Sequence, residues 1–190
     1  MMLYERYFKR VFDLLIAIPA VIVLAPILLA TSLAIWLEDG RPVLFRQVRV
    51  GRHGRDFKIF KFRSMPVATP SVPSSEAAKL RVTRVGAFIR RTNIDELPQL
   101  FNVLSGEMSI VGHRPGLAVQ SDLMSMRRER GVDRLRPGLT GLAQVNSFDG
   151  MTDAQKVDWE ARYAANVSLL GDVVIVFRTF GYLLHRPPVY

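Results

Sequence analysis

The chain has 190 residues, of which 49% are apolar, and it carries a formal net charge of +9. This length suits one domain with a modest core, and the positive charge favours an anionic partner, such as a phosphorylated substrate, an acidic membrane surface or nucleic acid. The chain has no cysteine, which excludes disulfides, thiolate catalysis and cysteine-ligated zinc, and its three histidines are too scattered to suggest a zinc enzyme.

The first predicted element is a run of 24 residues without a charged side chain, at positions 14–37. It is long enough to cross a hydrocarbon core of about 30 Å, and it does not have the pattern of a cleavable signal peptide. Basic residues flank it on both sides, so the positive-inside rule does not choose a side for either end. Pro26 predicts a kink, because its ring cannot donate to the Ile22 carbonyl. Two topologies remain: a hairpin with both ends cytoplasmic, and a tilted span with a tolerated proline, which the sequence alone favours.

Residues 41–64 carry eight basic side chains against one acid. Apolar and polar residues alternate on both sides of Gly-Arg-His-Gly, which predicts two strands joined by a turn. We expect most of these basic residues to form a patch that faces anionic headgroups. Residues 66–75, with three prolines and no charge, predict a surface loop, and residues 76–91 predict a helix.

Residues 89–115 contain the most informative pattern. Asp95 and Glu96 precede Pro98, and apolar residues then recur at helical spacing as far as Gly106, which predicts a helix with both acids in its first turn. A helix N-terminus stabilises negative charge and can also receive a phosphate.

Arginines flank these acids on both sides. Arg90 and Arg114 could grip phosphoryl oxygens with their guanidinium forks. The alternative is that the acids only cap a helix, because Asn93 and Glu96 have the spacing of a capping box.

The second half of the chain predicts further helices. Residues 117–130 predict an amphipathic helix that packs on the core or lies in the headgroup plane. Residues 136–146 contain two glycines that permit close backbone approach, either beside a nucleotide or in a structural turn. Residues 169–184 are apolar on most sides and suit membrane contact or docking against the N-terminal helix. The sequence contains no internal repeat, glycine-rich nucleotide fingerprint or Walker motif.

The run IDELPQLFNVLSGEMSIVGHRP resembles the signature of the bacterial sugar transferases, the small monotopic phosphoglycosyl transferases. The match is nearly continuous over more than twenty positions, with His113 where the family usually has proline. Three other stretches are similar to family motifs: KIFKFRSM around Lys61, the region of Gln47, and RPGLTGLAQVN from Arg136 onwards.

This resemblance implies an α+β, mainly helical fold with two parts. Residues 1–40 would form a re-entrant membrane helix-break-helix, and residues 41–190 would form a catalytic domain with a short β-hairpin and amphipathic helices packed at the membrane surface. Pro26 aligns with the proline of a Ser-Pro pair at which the family's membrane helix breaks, and Ala25 replaces the serine. The resemblance therefore reverses the preference for a tilted span, and it implies the cytoplasmic face of the bacterial inner membrane.

The resemblance also implies a reaction, in which a sugar-1-phosphate passes from a UDP-sugar to a polyprenol phosphate in the bilayer and UMP is released. Asp95 is the implied nucleophile of a covalent phosphosugar intermediate, and Glu96 would support it in acid–base or metal chemistry. Mg²⁺ is the implied cofactor, bound by these two acids. The implied substrate-binding residues are Lys61, Arg90, Arg114, Arg136, Gln144 and Gln47. Nucleic acid is not an expected partner, and a homodimer is compatible with the sequence.

Two other functions fit the composition less well. A membrane-tethered basic module would bind anionic lipid or nucleic acid without catalysis, but it has no use for two acids in its most cationic stretch. A glycosidase needs two carboxylates that flank a bond across about 5 Å or more, which neighbours in sequence rarely do.

Overall fold

The computed structural model describes residues 3–67, 69, 81–147 and 151–184. In chain order, these residues form α1 (Lys9–Asp39), β1 (Leu44–Val50), β2 (Asp56–Phe62), α2 (Arg84–Arg91), α3 (Gln99–Ser105), β3 (Ser109–Val111), α4 (Ser121–Glu129), β4 (Gly138–Thr140), α5 (Leu142–Val145), α6 (Asp153–Ala165) and α7 (Leu169–Leu184). The predictions of a mainly helical fold, a long apolar N-terminal helix and a short β-hairpin are confirmed.

The apolar helix α1 continues a π-helical turn at Tyr4–Phe8, and the two together are long and apolar enough to cross a membrane. Pro19 and Pro26 both lie inside α1, which is helical throughout. One side of α1 packs on the rest of the protein, whereas much of its surface is exposed. The exposed apolar side chains include Leu15, Val23 and Leu29, which are 70%, 73% and 71% exposed.

Charged residues join the N-terminal end of α1 to the domain. Lys9 Nζ lies 2.7 Å from Asp172 of α7, in a buried pair to which Tyr163 also donates its hydroxyl. Asp13 accepts hydrogen bonds from the side chain of Ser109 and from the next backbone N–H. These partners offset part of the cost of burying the charges, although Asp13 Oδ2 has no hydrogen-bond partner among the described residues.

A second contact joins the same end of α1 to the helix that follows the acidic pair. Arg10 donates to the backbone carbonyls of Val103 and Leu104, in the last turn of α3. A helix leaves its final carbonyls without partners and carries partial negative charge there, so a guanidinium stabilises this end.

The C-terminal end of α1 contacts the same domain. Glu38 accepts hydrogen bonds from the backbone N–H groups of Arg84 and Val85, in the first turn of α2. Asp39 forms an ion pair with Arg63 at 3.0 Å. Both ends of this helix are therefore bonded to one body.

The β-hairpin forms as its alternating pattern predicts. β1 and β2 are antiparallel and pair from Leu44 with Phe62 to Val50 with Asp56, around the short 3₁₀ turn Arg52–Gly54. The side chain of Asn102 in α3 accepts from the Phe60 N–H and donates to the Lys58 carbonyl. The hairpin is thereby fixed against α3.

The glycines of residues 136–146 serve backbone packing. β4 pairs in parallel with β3, with Ser109 opposite Gly138. A Cβ atom would lie 2.1 Å from Gly112 N if placed at Gly138, and 1.9 Å from Gly112 O if placed at Gly141. At both glycines a neighbouring backbone segment occupies the space that a side chain would need, as the structural alternative requires, and a place beside a nucleotide stays a prediction.

The helix predicted over residues 76–91 starts later than expected. Residues 76–80 and most of the predicted loop 66–75 lie outside the described residues, and residues 81–83 are not helical. α2 begins at Arg84 because Thr83 caps it, accepting from Gly86 N at 2.9 Å, while Glu38 takes the first two helical N–H groups. The prediction of a helix across residues 81–83 is therefore wrong.

The prediction that the acidic pair lies in the first turn of an α-helix is wrong. Asp95 and Glu96 belong to a 3₁₀ turn, Ile94–Glu96, and α3 begins only after Pro98. Asn93 has a left-handed φ of 55° and makes no side-chain capping hydrogen bond, so the capping-box alternative is also wrong. Gly106 ends α3 at a φ of 85°, which confirms the predicted stop.

Helix α4 is shorter than the predicted helix at residues 117–130 and packs on the core, with Leu123 only 3% exposed. Its buried Arg127 forms two hydrogen bonds to Glu160 of α6. An ion pair buried this deeply leaves an uncompensated charge when one partner is removed.

We expect Glu160→Ala to lower the free energy of unfolding by about 3–5 kcal/mol, because Arg127 would remain buried without its counter-charge. Asp158→Ala is the matched control on the same helix, because the pair Arg130–Asp158 has side chains 60% and 51% exposed. Exposed pairs of this kind contribute about 1 kcal/mol or less. Denaturant unfolding in detergent measures both, and equal losses would contradict the expectation.

Candidate active site

The acidic pair lies beside basic side chains from two other segments. Phe57 and Ile59 of β2 face the core, and Lys61 continues that face of the strand beyond the core. Lys61 Nζ donates to Glu96 Oε1 at 2.7 Å, and Arg114 Nη2 donates to the same oxygen at 2.9 Å. The structure thus brings together three residues that the sequence analysis singled out.

Asp95, the other acid of the pair, has different surroundings. No described residue forms a hydrogen bond or a salt bridge with the carboxylate of Asp95. Burial raises the pKa of Asp95 to about 6, and the negative charge of Glu96 acts in the same direction. The opposing attraction comes from Lys61, Arg90 and Arg114. Asp95 is therefore mostly ionised at neutral pH, and its oxygens form no hydrogen bond with the part of the chain that the structure describes.

Glu96 has the opposite electrostatic character. Burial opposes its ionisation, but the positive charges of Arg114 and Lys61 outweigh that effect and hold the pKa of Glu96 well below its usual range. The two neighbouring carboxyl groups thus differ: one is fixed and permanently charged, and the other is unbonded and more basic.

Arg90 approaches the acidic pair from the last turn of α2. Its Nε donates to Ser64 Oγ at 2.8 Å, which orients the guanidinium, and its charge acts on Asp95. Its position therefore suits a contact with an anion held at that carboxylate.

The sequence analysis missed Arg49 as a site residue. Arg49 lines a cleft together with Lys61, Glu96 and Arg114. The rest of the wall is formed by Ile59, the buried Gln99, Pro115 and Gly138. Burial and the charge of Arg114 lower the pKa of Arg49 to about 10, against the attraction of Glu96. The sequence did carry a signal, since Arg49 is two residues after Gln47 and so shares its face of β1.

The remaining predicted site residues lie elsewhere or act indirectly. Gln47 Oε1 accepts from Arg49 Nη2 at 2.6 Å. Arg136 donates to the Gly106 carbonyl at 2.8 Å, beyond the end of α3, and the nearby charges that lower its pKa after burial are Arg52 and Arg10. Gln144 is in α5, and its amide atoms are buried without a hydrogen-bond partner among the described residues. Arg136 and Gln144 do not line the cleft beside Glu96.

His113, the position at which the sequence departs from the family pattern, is buried behind Arg114. Burial and the positive charge of Arg127 lower the pKa of His113 to about 3, so its imidazole is neutral near pH 7. The ring packs against the segment that carries Arg114, and it does not line the cleft.

The donor set of this site is consistent with Mg²⁺. Among the described residues, no group of three or more acidic or histidine side chains could hold a metal ion. Asp95 and Glu96 could therefore contribute at most two carboxylates, and phosphate oxygens and water would complete the shell. Mg²⁺ is usually bound in this way, through one or two carboxylates plus substrate phosphates.

The fold and the cleft together define a class of protein: an apolar helix of membrane-crossing length is bonded at both ends to a domain with a cationic cleft, and beside that cleft the carboxylate of Asp95 has no hydrogen-bond partner among the described residues. The family model of the bacterial sugar transferases matches residues 4–186. The UDP-glucose:undecaprenyl-phosphate glucose-1-phosphate transferase of Caulobacter vibrioides is 42% identical over 191 residues, which are 96% of this chain and 72% of that protein. The chain therefore belongs to the bacterial sugar transferase family.

Two further relatives differ in length. The Klebsiella pneumoniae protein with the same name as the Caulobacter relative is 40% identical over 182 residues, which are 90% of this chain but 39% of that protein. The UDP-N-acetylgalactosamine-undecaprenyl-phosphate N-acetylgalactosaminephosphotransferase of Aeromonas hydrophila is 40% identical over 185 residues, which are 94% of this chain and 44% of that protein. The chain thus spans about two fifths of the length of such relatives, and their names specify different sugars.

Proposed function

We propose that this protein transfers a sugar-1-phosphate from a UDP-sugar to a polyprenol phosphate, producing a polyprenol-diphosphate-sugar and UMP. The observation that carries this proposal is the contrast within the acidic pair. Glu96 is held by two cations, whereas Asp95 is ionised, unbonded and placed among positive charges that attract a diphosphate. Family membership and the names of the relatives support the same reaction.

In the proposed mechanism, Asp95 Oδ attacks the phosphorus that carries the sugar. A bond forms between the carboxylate oxygen and this phosphorus, and the bond from phosphorus to the bridging oxygen breaks. The electron pair of that bond leaves with UMP. The phosphate of the polyprenol then attacks the same phosphorus, which releases the carboxylate. A pKa of about 6 suits Asp95 for this role, because a more basic carboxylate is a better nucleophile and is still ionised at neutral pH.

The surrounding residues would hold charge in place. Lys61 and Arg114 fix Glu96, and with Arg90 they supply donors for the phosphoryl oxygens on which charge accumulates. When bound, Mg²⁺ would be held by Asp95 and Glu96 together with phosphate oxygens, and it supplies further neutralisation of the diphosphate.

The direct test measures UMP release from UDP-sugar alone, with UDP-glucose and UDP-N-acetylgalactosamine among the donors. We expect a stoichiometric burst of UMP and a phosphosugar adduct on the peptide that contains Asp95, since the first half-reaction needs no acceptor. The same assay in EDTA should give no burst. A strict requirement for polyprenol phosphate, with no adduct, would argue for direct transfer, and full release in EDTA would remove Mg²⁺ from the proposal.

We also propose that α1 is re-entrant and that both of its ends lie on the cytoplasmic face of the inner membrane. A straight helix of this length would extend for about 46 Å. Its first turns, at Lys9 and Asp13, and its last turn, at Glu38 and Asp39, are all bonded to one domain. A straight span would carry these two ends to opposite faces of the bilayer, which these bonds oppose. Pro26 is the expected site of the bend.

Single cysteines at two exposed positions test this topology in a chain with no native cysteine. We expect Leu3→Cys and Arg41→Cys to be protected together from an impermeant thiol reagent in intact cells, and labelled together after lysis. Both side chains lie outside the hydrogen bonds that hold α1, so the substitutions should preserve the fold. Labelling of position 3 alone in intact cells would show a helix that crosses the bilayer.

A further inference from the structure

Arg49 is held in a fixed position on the wall of the cleft. Its Nη2 donates to Gln47 Oε1 at 2.6 Å, and its Nη1 donates to the Pro115 carbonyl at 3.2 Å. These two bonds hold the planar guanidinium from the strand on one side and from the segment after β3 on the other. Gln47 is therefore a positioning residue that acts through Arg49.

Neither partner neutralises the charge of Arg49, because both are uncharged oxygens. The acid whose charge acts on Arg49 is Glu96, and its Oε1 already accepts from Lys61 and Arg114. Among the described residues that line the cleft or act electrostatically on Asp95, four are cations, at positions 49, 61, 90 and 114, and the carboxylates are those at positions 95 and 96. This excess of positive charge predicts an anion in the cleft.

The cleft does not extend around the nucleophile. Arg49, Lys61, Glu96 and Arg114 line it, but Asp95 and Arg90 do not. The basic side chains whose charges act on Asp95 are Lys61, Arg90 and Arg114. The site thus offers two neighbouring positions for phosphoryl groups, one at Asp95 and one in the cleft beside Arg49.

A nucleoside diphosphate sugar has two adjacent phosphoryl groups, and only one of them is attacked. We propose that Arg49, positioned by Gln47, binds the other one, the phosphate that leaves as part of UMP. This inference rests on the proposed function. When the bond between the attacked phosphorus and the bridging oxygen breaks, the electron pair stays on that oxygen, and Arg49 donates hydrogen bonds to the UMP phosphate as its charge increases.

The test compares the binding of UMP and of uridine to the detergent-solubilised full chain, because the two ligands differ only in the phosphate. We expect Arg49→Gln to weaken UMP binding about 10- to 100-fold and to leave uridine binding unchanged. Arg49→Lys should restore part of the affinity, because it keeps the charge and loses the fork. Gln47→Ala should weaken UMP binding less, and it should add nothing in the double variant with Arg49→Gln.

Arg46→Gln is the matched control, because Arg46 lies on the same strand, is exposed and stacks over the Phe60 ring. It should bind UMP like the wild type. Unchanged UMP affinity in Arg49→Gln would overturn the inference, as would a defect confined to the KM for polyprenol phosphate, which would assign Arg49 to the acceptor. A wild-type protein that neither binds nor releases UMP would instead refute the proposed function.

Discussion

Asp95→Asn should abolish UMP release and adduct formation, with a loss of at least about 10⁴-fold in the first half-reaction. The amide has nearly the shape of the carboxylate, but it cannot act as the nucleophile toward phosphorus. Losses of this size are typical when the attacking group of a covalent mechanism is removed. Rapid-quench measurement of UMP, with intact-protein mass spectrometry, gives both readouts.

The fold should tolerate this substitution. No described residue hydrogen-bonds to the Asp95 carboxylate, and the pKa of this group is raised, so the folded state binds its proton more tightly than the unfolded state does. The ionised carboxylate therefore opposes folding above about pH 6, and a neutral amide should leave stability at neutral pH unchanged or slightly higher. Substantial turnover by a folded Asp95→Asn protein would refute the covalent role.

Glu96→Gln is expected to lower kcat/KM for UMP release by about 10²- to 10³-fold. The amide oxygen can still accept from one cation, but it no longer neutralises Lys61 and Arg114, so both lose the charge-assisted bond that orients them. Glu160→Gln, in α6 and outside the lining of the cleft, is a control for loss of a buried carboxylate of the same type.

The pH dependence of kcat/KM distinguishes an electrostatic role of Glu96 from a loss of activity caused by a disturbed structure. In the wild type, kcat/KM should fall below about pH 6, because protonated Asp95 cannot attack. The charge of Glu96 contributes to the raised pKa of Asp95, so Glu96→Gln should move this acid limb to lower pH. A reduced rate with an unshifted limb would mean that Glu96 does not act on Asp95 electrostatically.

Long, regular patterns could be predicted from the sequence. The uncharged run at residues 14–37, the alternation of the hairpin and the apolar tail Leu169–Leu184 each gave an element close to the one observed. The short strands β3 and β4 were missed because three residues carry too little periodicity to distinguish a strand from a turn. The acidic turn was misplaced because Asn93 adopts a left-handed conformation, which asparagine tolerates better than most residues but which the spacing of the acids does not predict.

The candidate site was predictable only in part, because some of its contacts join segments that are distant in sequence. Family resemblance marked Lys61, Glu96 and Arg114, and the structure brings them into contact. Arg49 was taken as one of many surface cations, because the sequence cannot show that the segment after β3 crosses over β1 and encloses it. The contrast between Asp95 and Glu96 also depends on contacts between segments that are distant in sequence.

The hydrogen bonds from Arg10 to the end of α3 tie the start of α1 to the domain formed by the later residues, across the boundary predicted at residue 40. A boundary at residue 40 separates a membrane part from a catalytic part by composition. A protein cut there would remove the Arg10 guanidinium from the carbonyls of Val103 and Leu104, and Lys9 from Asp172. The first turn of α1 is therefore a structural part of the domain that contains the cleft, and a fragment made by deleting it should not fold to this structure.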